Sequence, residues 1–317
     1  MTRYLTRRLL EILPTVFLLS VIIFVLMRLI PGDPLEALSG EETDRLAPEQ
    51  RAALERQFGL DRPLPVQYVR WLRGLLTGDW GRSLLGRQPV ADLVRARLSV
   101  TLQLGLLAWS LAMLMAIPIG ILSALKRNSW LDVGITSGAL AGIATPNFVL
   151  GLLLIVVFGV YFGVLPTTGY VSPAKNPIDG LRHLILPAFT LATGLMASLV
   201  RQTRSAMLEV MREDYVRTAR AKGLRERRVI LGHAVKNALL PIVTIAGLQL
   251  GNIVAGAIIV ETLFAFPGVG RLTIEAVRVK DYQTVQVLVV VFAVTTILAN
   301  LAADIVYTVF DPRIRLR

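Results

Sequence analysis

The side chains able to do acid–base, nucleophilic or metal chemistry are few in this sequence. It has no cysteine and only two histidines, His183 and His233. That removes disulfides, thiolate nucleophiles and cysteine metal sites, and two imidazoles are too few for most zinc chemistry. His183 sits at the mouth of an apolar segment and His233 in a basic stretch, so the two form no dyad. No H-E-x-x-H, phosphate-cradling Walker loop, G-x-S-x-G or G-x-G-x-x-G pattern occurs. Gly134–Gly142 and Gly268-Val269-Gly270 contain glycines but lack the strand–turn–helix setting of such loops. An intramembrane hydrolase is poorly supported, and the chain is expected to be no enzyme, with no metal, no cofactor and no ATPase site of its own.

What remains are polar groups inside apolar stretches. Asn147, Gln249 and Asn252 fall at or near membrane depth, as do Asn300 and Asp304, which are i, i+4 on one helical face. Such groups are costly in hydrocarbon unless they face protein or a water-filled path. Two readings stay open for each: glue between helices, or lining for a polar substrate. Pro118, Pro146, Pro187 and Pro241 can kink or start spans. Asn147 is the favoured pathway candidate, because the backbone groups freed by Pro146 lie beside its amide. Glu261, Pro267 and Gly268 belong to a turn at the outer end of a span, which is an outer gate, a receptor contact or a plain connection.

Composition says what must position these residues. Of 317 residues, 54% are hydrophobic and 18% charged, and the net charge is +12. A soluble basic protein that binds nucleic acid would carry more charge and less apolar surface, so nucleic acid is excluded as a partner. A bilayer core needs about 20 apolar residues per helix. Six stretches lack Asp, Glu, Lys and Arg: Ile12–Met27, Leu98–Leu125, Val133–Ala174, His183–Val200, Asn237–Val260 and Tyr282–Ala303. The first is lengthened by Leu9, Leu10, Leu29 and Ile30, and no small-residue cleavage site follows it, so it reads as a span rather than a signal peptide. The third is too long for one span, and its helix is expected to end near Phe162, before Leu165-Pro166-Thr167-Thr168-Gly169. The fold class is therefore an all-α polytopic membrane protein with six transmembrane helices.

Six spans put both termini on one side. The segments on that side (Met1–Arg8, Lys126–Asp132, Arg201–Lys236 and Asp311–Arg317) hold 18 basic and 6 acidic residues, which is the whole +12. The positive-inside rule then makes both termini cytoplasmic. The organisation expected is a tail and first span over 1–30, a long extracytoplasmic loop over 31–97, and a five-helix core over 98–310. A coupling loop over 201–236 falls within that core, and a cytoplasmic tail follows over 311–317. Glu49–Arg56, after Pro48, predicts a helical piece in the outer loop.

The cytoplasmic loop is the most informative segment. It runs Asp214-Tyr215-Val216-Arg217-Thr218-Ala219-Arg220-Ala221-Lys222-Gly223-Leu224-Arg225-Glu226-Arg227-Arg228. Met207, Val210, Met211, Asp214 and Tyr215 fall at helical spacing, Gly223 breaks the run, and Val229–Val235 resumes it. A plain basic juxtamembrane loop would bind anionic lipid. Small Ala219, Ala221 and Gly223 additionally let another protein's groove approach the backbone, and Gly223 can take the φ > 0 that joins two helices.

This segment resembles the coupling loop, often called the EAA loop, of ABC importer permeases, in the form found in the dipeptide/oligopeptide/nickel permease family. Four further segments resemble that family in order along the chain: Pro31-Gly32-Asp33-Pro34, Gly74–Ser83, His233–Pro241 and Glu261–Arg271. The first two, with the long outer loop, resemble the first of two paired permease subunits. Of the general Glu-Ala-Ala-x-x-x-Gly pattern only Ala219 and Gly223 match, with Arg217 and Thr218 in place of Glu and Ala. The peptide-permease branch is similar in this respect.

The resemblance implies a bacterial or archaeal plasma (inner) membrane. It implies a second, homologous permease subunit, two ATP-binding subunits that hold ATP and magnesium, and an extracytoplasmic substrate-binding protein. Asp214, Tyr215, Ala219, Ala221, Lys222, Gly223 and Leu224 would then couple the ATPase to the spans. Asn147, Gln249, Asn252, Glu261, Pro267 and Gly268 would serve the pathway or its gate. The implied cargo is a short peptide, although dipeptides, longer peptides, glutathione, sugars and nickel complexes are all carried by systems with similar permeases. The alternative is a self-sufficient secondary transporter or channel using Glu261, Asn300 and Asp304 for ions.

Overall fold

A computed structural model describes residues 2–29, 48–58, 61–83, 88–251 and 253–310. The regular structure is helical: α1 (Thr2–Leu29), α2 (Pro48–Phe58), α3 (Leu64–Thr77), α4 (Val90–Leu125), α5 (Trp130–Ala144), α6 (Asn147–Leu154, widening into π-helical Ile155–Tyr161), α7 (Pro177–Val210), α8 (Asp214–Ala221), α9 (Glu226–Val229, widening into Ile230–Ala234), α10 (Val235–Gly251), α11 (Ile253–Leu263), α12 (Val269–Arg278) and α13 (Tyr282–Phe310). Among the described residues, five helical stretches are long and apolar enough to cross a bilayer, namely α1, α4, α7, α9 running into α10, and α13, and the bent pair α5–α6 makes a sixth if it is one span. The expected all-helical, multi-span architecture is thus present. The Pro31–Pro34 segment and the tail over 311–317 lie outside the described residues.

Two compact units divide the chain, Met1–Val100 with Pro267–Thr295, and Thr101–Phe266 with Thr296–Arg317. In the first, α3 lies against α1. The Tyr68 ring meets Phe17 and Phe24 edge-on, and its hydroxyl stands 2.8 Å from Ser20 Oγ. Since Ser20 already donates to the Phe17 carbonyl, Tyr68 is the donor. The helical piece after Pro48 is present as α2. The segment over 31–97 also forms α3, which hydropathy did not single out. Ser83 Oγ donates to Asp281 Oδ2 at 2.5 Å, and the same carboxylate caps α13 by accepting the Thr284 N–H and hydroxyl.

The second unit is organised on α7, whose Leu191, Leu199 and Met207 are buried. Glycines let its neighbours come close. A Cβ on Gly120 of α4 would stand 2.6 Å from Thr203 Cβ, and one on Gly142 of α5 would stand 3.3 Å from Ala197 Cβ. Small residues at such contacts are the usual way helices pack where no water drives them together. The same device joins α10 to α13. There Gly247 faces Ala303 and Gly251 faces Asn300, and Thr296 Oγ1 donates to the Gly251 carbonyl at 3.1 Å.

Two expected elements differ in detail. The third apolar stretch is not one helix. It breaks at Thr145-Pro146 and turns by 107°. Thr145 takes an extended conformation (φ −84°, ψ 122°), the basin a following proline imposes. Its amide and its hydroxyl both donate to the Ala141 carbonyl, which ends α5. Pro118, Pro187 and Pro241 by contrast lie inside continuous helices. The helix of the fourth span runs on to Val210, because the segment carrying Arg201 and Arg204 stays helical. A turn over Met211–Glu213 then interrupts the run expected to continue to Tyr215. The fifth stretch is helical throughout its described residues, as expected, and Asn252 lies outside them.

Candidate functional site

The basic loop folds into a compact elbow. After α7 ends, the Met211, Arg212 and Glu213 amides each donate back to carbonyls of its last turn, and α8 starts at Asp214. The end of α8 is a Schellman cap. Leu224 N donates to the Ala219 carbonyl and Gly223 N to the Arg220 carbonyl, with Gly223 left-handed at φ 75°. The apolar contact that accompanies this cap is present too. Leu224 and Val210 pack on a small core of Val216, Ala219 and Val229, which fixes α8 against α9. Across the bend Arg220 holds Glu226 with both Nη2 (2.7 Å) and Nε (3.1 Å). The bond raises the guanidinium's pKa further above its ordinary value.

The expected coupling residues divide between two faces. Ala219 points into the elbow's own core and Leu224 is half-buried beside it. Asp214, Tyr215, Ala221, Lys222 and Gly223 are exposed, and a Cβ at Gly223 would meet no atom of the chain within 4 Å. The exposed surface of the elbow is therefore the α8 flank and the glycine bend.

Two contacts lie where the elbow meets the spans, one at the elbow itself and one six residues back along α7. The first is apolar. Met207 of α7, Ala124 of α4, and Ala234 and Ala238 after α9 form one buried cluster, with Ile230 and Val235 packed against it. The second is polar. Asp132, at the start of α5, is 3% exposed. Its Oδ1 accepts from Arg204 Nε at 2.7 Å and Ser123 Oγ at 2.5 Å, and its Oδ2 from Arg204 Nη2 at 2.8 Å and the Asn128 N–H at 2.9 Å. Four donors on one carboxylate satisfy the charge that burial would otherwise penalise. Sequence reasoning counted Asp132 and Arg204 only as loop charges. The signal present was Ser129-x-x-Asp132, a helix-start pattern in which Ser129 Oγ caps the Asp132 N–H.

The remaining polar candidates lie apart from the elbow. Asn147 opens α6 at the 107° bend and is half-buried, and its Oδ1 lies 3.7 Å from where a Cβ on Gly194 of α7 would stand. Gln249 Oε1 is buried with no hydrogen-bond partner among the described residues. Glu261 is fully buried in α11 and accepts from Thr101 Oγ1. The turn after it is folded onto its own unit. The Phe266 N–H donates to the Glu261 carbonyl, Phe264 accepts from the Gly169 N–H, and Phe266 meets Tyr170 edge-on. Pro267 is half-buried, and Gly268 is extended at the N-cap of α12. Asn300 packs on Gly251, while the side chain of Asp304 lies outside the described residues. His183 bonds the Asp179 carbonyl through Nδ1, and the His233 carbonyl accepts from Asn237.

Helices of this length and apolarity, bent and packed through glycines, define a polytopic membrane protein. Residues 116–316 match the family described as binding-protein-dependent transport system inner membrane component, and residues 1–105 match the N-terminal region of such components. The chain belongs to this family, whose members are permease subunits of ABC importers. It is 42% identical over 317 residues to the oligopeptide transport system permease protein AppB of Bacillus subtilis, with 99% of both chains covered. It is 41% identical to the dipeptide transport system permease protein DppB of Escherichia coli K12, again over 99% of both. The glutathione transport system permease protein GsiC of Salmonella paratyphi A is 40% identical over the full length of both. Among solved structures, an amino acid ABC transporter superposes with a TM-score of 0.50 at 18% identity, covering 70% of this chain and 94% of that one, a likeness in fold alone.

Proposed function

We propose that this chain forms half of the membrane pathway of an ATP-driven importer of short peptides. It would work beside a second permease subunit, two ATP-binding subunits and an extracytoplasmic substrate-binding protein. Full-length identity to permeases named for oligopeptides, dipeptides and glutathione supports a peptide-like cargo. The observation that carries the mechanism is the α8–Gly223–α9 elbow, rigid within, exposed at its bend and rooted on α7 and α10.

The charge distribution supports placing both termini and the elbow in the cytoplasm, where ATP-binding subunits would be met. ATP and magnesium are assigned to those subunits. Closure of the ATPase pair would carry α8 with it, and because α8 is packed on α9 and on Val210 at the end of α7, and α9 leads into α10, the spans would swing between inward- and outward-open states. Asn147, Gln249 and Asn252 are assigned to the pathway. Asn147 stands at a helix break, and Gln249 has a buried amide oxygen that a passing polar group can satisfy. Glu261, Pro267 and Gly268 are assigned to its outer end. A tight midway site is not required, since alternating access needs only a difference in stability between two states.

The test is reconstitution in vesicles with the genomically neighbouring transport subunits and a panel of dipeptides and oligopeptides. Uptake should need ATP, the binding protein and both permeases. Gradient-driven uptake by this chain alone, insensitive to ATP, would overturn the reading.

A further inference from the structure

The buried ion pair at the root of the elbow has a place in the fold that a stabilising contact alone does not need. Asp132 begins α5, and Arg204 lies near the end of α7, one turn before Met207, the residue around which α4, α7 and the start of α10 pack. Ser123 brings in the last turn of α4, and the Asn128 N–H brings in the turn between α4 and α5, where Asn128 is itself left-handed at φ 62°. Three helices and a tight turn thus converge on one carboxylate. The guanidinium reaches it with two parallel bonds, a geometry that fixes direction as well as distance.

From this anchor α5 runs as one unbroken 15-residue helix to the break at Thr145-Pro146, where Asn147 stands. A displacement of α7 at Arg204 is therefore delivered to Asp132 and along α5 to the bend. The other α5–α7 contact described above, Gly142 against Ala197, is apolar and can slide. The ion pair cannot slide without breaking, because parting would leave a carboxylate buried without its charge partner.

We propose that Asp132 and Arg204 are positioning residues that transmit motion of the elbow to the α5–α6 bend, so that nucleotide turnover and opening of the pathway stay in step. The proposal rests on the importer reading given above. It assigns the pair to coupling and to no contact with cargo or nucleotide.

The test uses the full reconstituted complex and compares wild type with Asp132→Asn, Arg204→Gln and Arg204→Lys. Peptide uptake and ATP hydrolysis are measured on the same vesicles. Uptake should fall about tenfold in Asp132→Asn and Arg204→Gln, within the usual range of coupling between sites, while hydrolysis changes less than about twofold. Peptide transported per ATP should therefore drop. Arg204→Lys, which keeps the charge but loses the fork, should lie between these and wild type.

A parallel fall of both activities, or an unchanged ratio, would overturn the proposal. Failure of all three variants to assemble would also overturn it, because it would make the pair a folding element. Absence of ATP-dependent uptake in wild type would instead strike the importer reading and take this proposal with it.

Discussion

Thr101 Oγ1 donates to Glu261 Oε1 at 2.5 Å, and neither residue is exposed to solvent. The bond ties α4 to α11 just before the turn at Phe264–Phe266, whose backbone is in turn held by the Glu261 carbonyl. Glu261 was a gate candidate on sequence grounds, and in this conformation its carboxylate is held inside the protein rather than offered to a passing ion. Replacing Thr101 by Val removes a donor from a buried acceptor and should cost about 1–3 kcal/mol. Denaturant unfolding in detergent measures this. A change below about 0.5 kcal/mol, the level of an ordinary surface substitution, would show that the bond does not hold the turn.

The glycines of α10 and α5 should respond oppositely to alanine. A Cβ at Gly247 would stand 2.6 Å from Ala303 Cβ and 3.2 Å from its Cα, so Gly247→Ala must push α10 and α13 apart. Overpacking of this kind costs about 1–3 kcal/mol. At Gly251 the close atom is the end of the Asn300 side chain, which can turn aside, so Gly251→Ala should cost less. Gly138 of α5 has no atom within 4 Å, and Gly138→Ala should be neutral or gain up to about 1 kcal/mol from helix propensity. Thermal midpoints of the isolated chain in detergent rank the three.

Arg220 and Glu226 are exposed enough that their pairing should add little to global stability, about 0.2–1 kcal/mol. Its effect should be on the elbow. Arg220→Ala and Glu226→Ala should each leave the unfolding midpoint nearly unchanged but lower uptake by the reconstituted complex. The exchanged pair Arg220→Glu with Glu226→Arg should recover part of that loss. Failure of the exchange to recover any uptake would mean that each charge acts on the partner subunit separately.

How much of this was legible in the sequence depends on the range over which each feature is encoded. The spans followed from unbroken apolar runs, a property of the bilayer's thickness. Gly223 was legible because only a glycine readily takes the left-handed position that closes a Schellman cap, and the structure puts it there. The break at Pro146 was only half legible. Four prolines looked alike, and what sets this one apart is Thr145, whose amide and hydroxyl both turn back to Ala141. Helix α3 escaped because its apolar residues are too few for a span and acquire their partners from α1.

Pairing across distance was not legible at all. Asp132 and Arg204 are 72 positions apart, and each looked like one more loop charge. The inward turn of Ala219 was hidden for a related reason. Small residues near a bend suggest close approach, but not whether the approaching surface is a partner or the chain's own Val229.

The central claim is that the Gly223 bend is where the chain receives force from an ATPase. The chain itself leaves this position open, since a Cβ there meets no atom of the described residues within 4 Å. The cost of a side chain there is the left-handed backbone, about 1–2 kcal/mol in a surface turn. Asn accepts that conformation and serves as the control. The decisive measurement is peptide uptake by the reconstituted complex carrying Gly223→Trp or Gly223→Asn, with insertion of each variant checked. Trp should abolish uptake and binding of the ATP-binding subunits while Asn retains both. Near wild-type uptake with Trp would contradict the assignment of this elbow to ATPase docking.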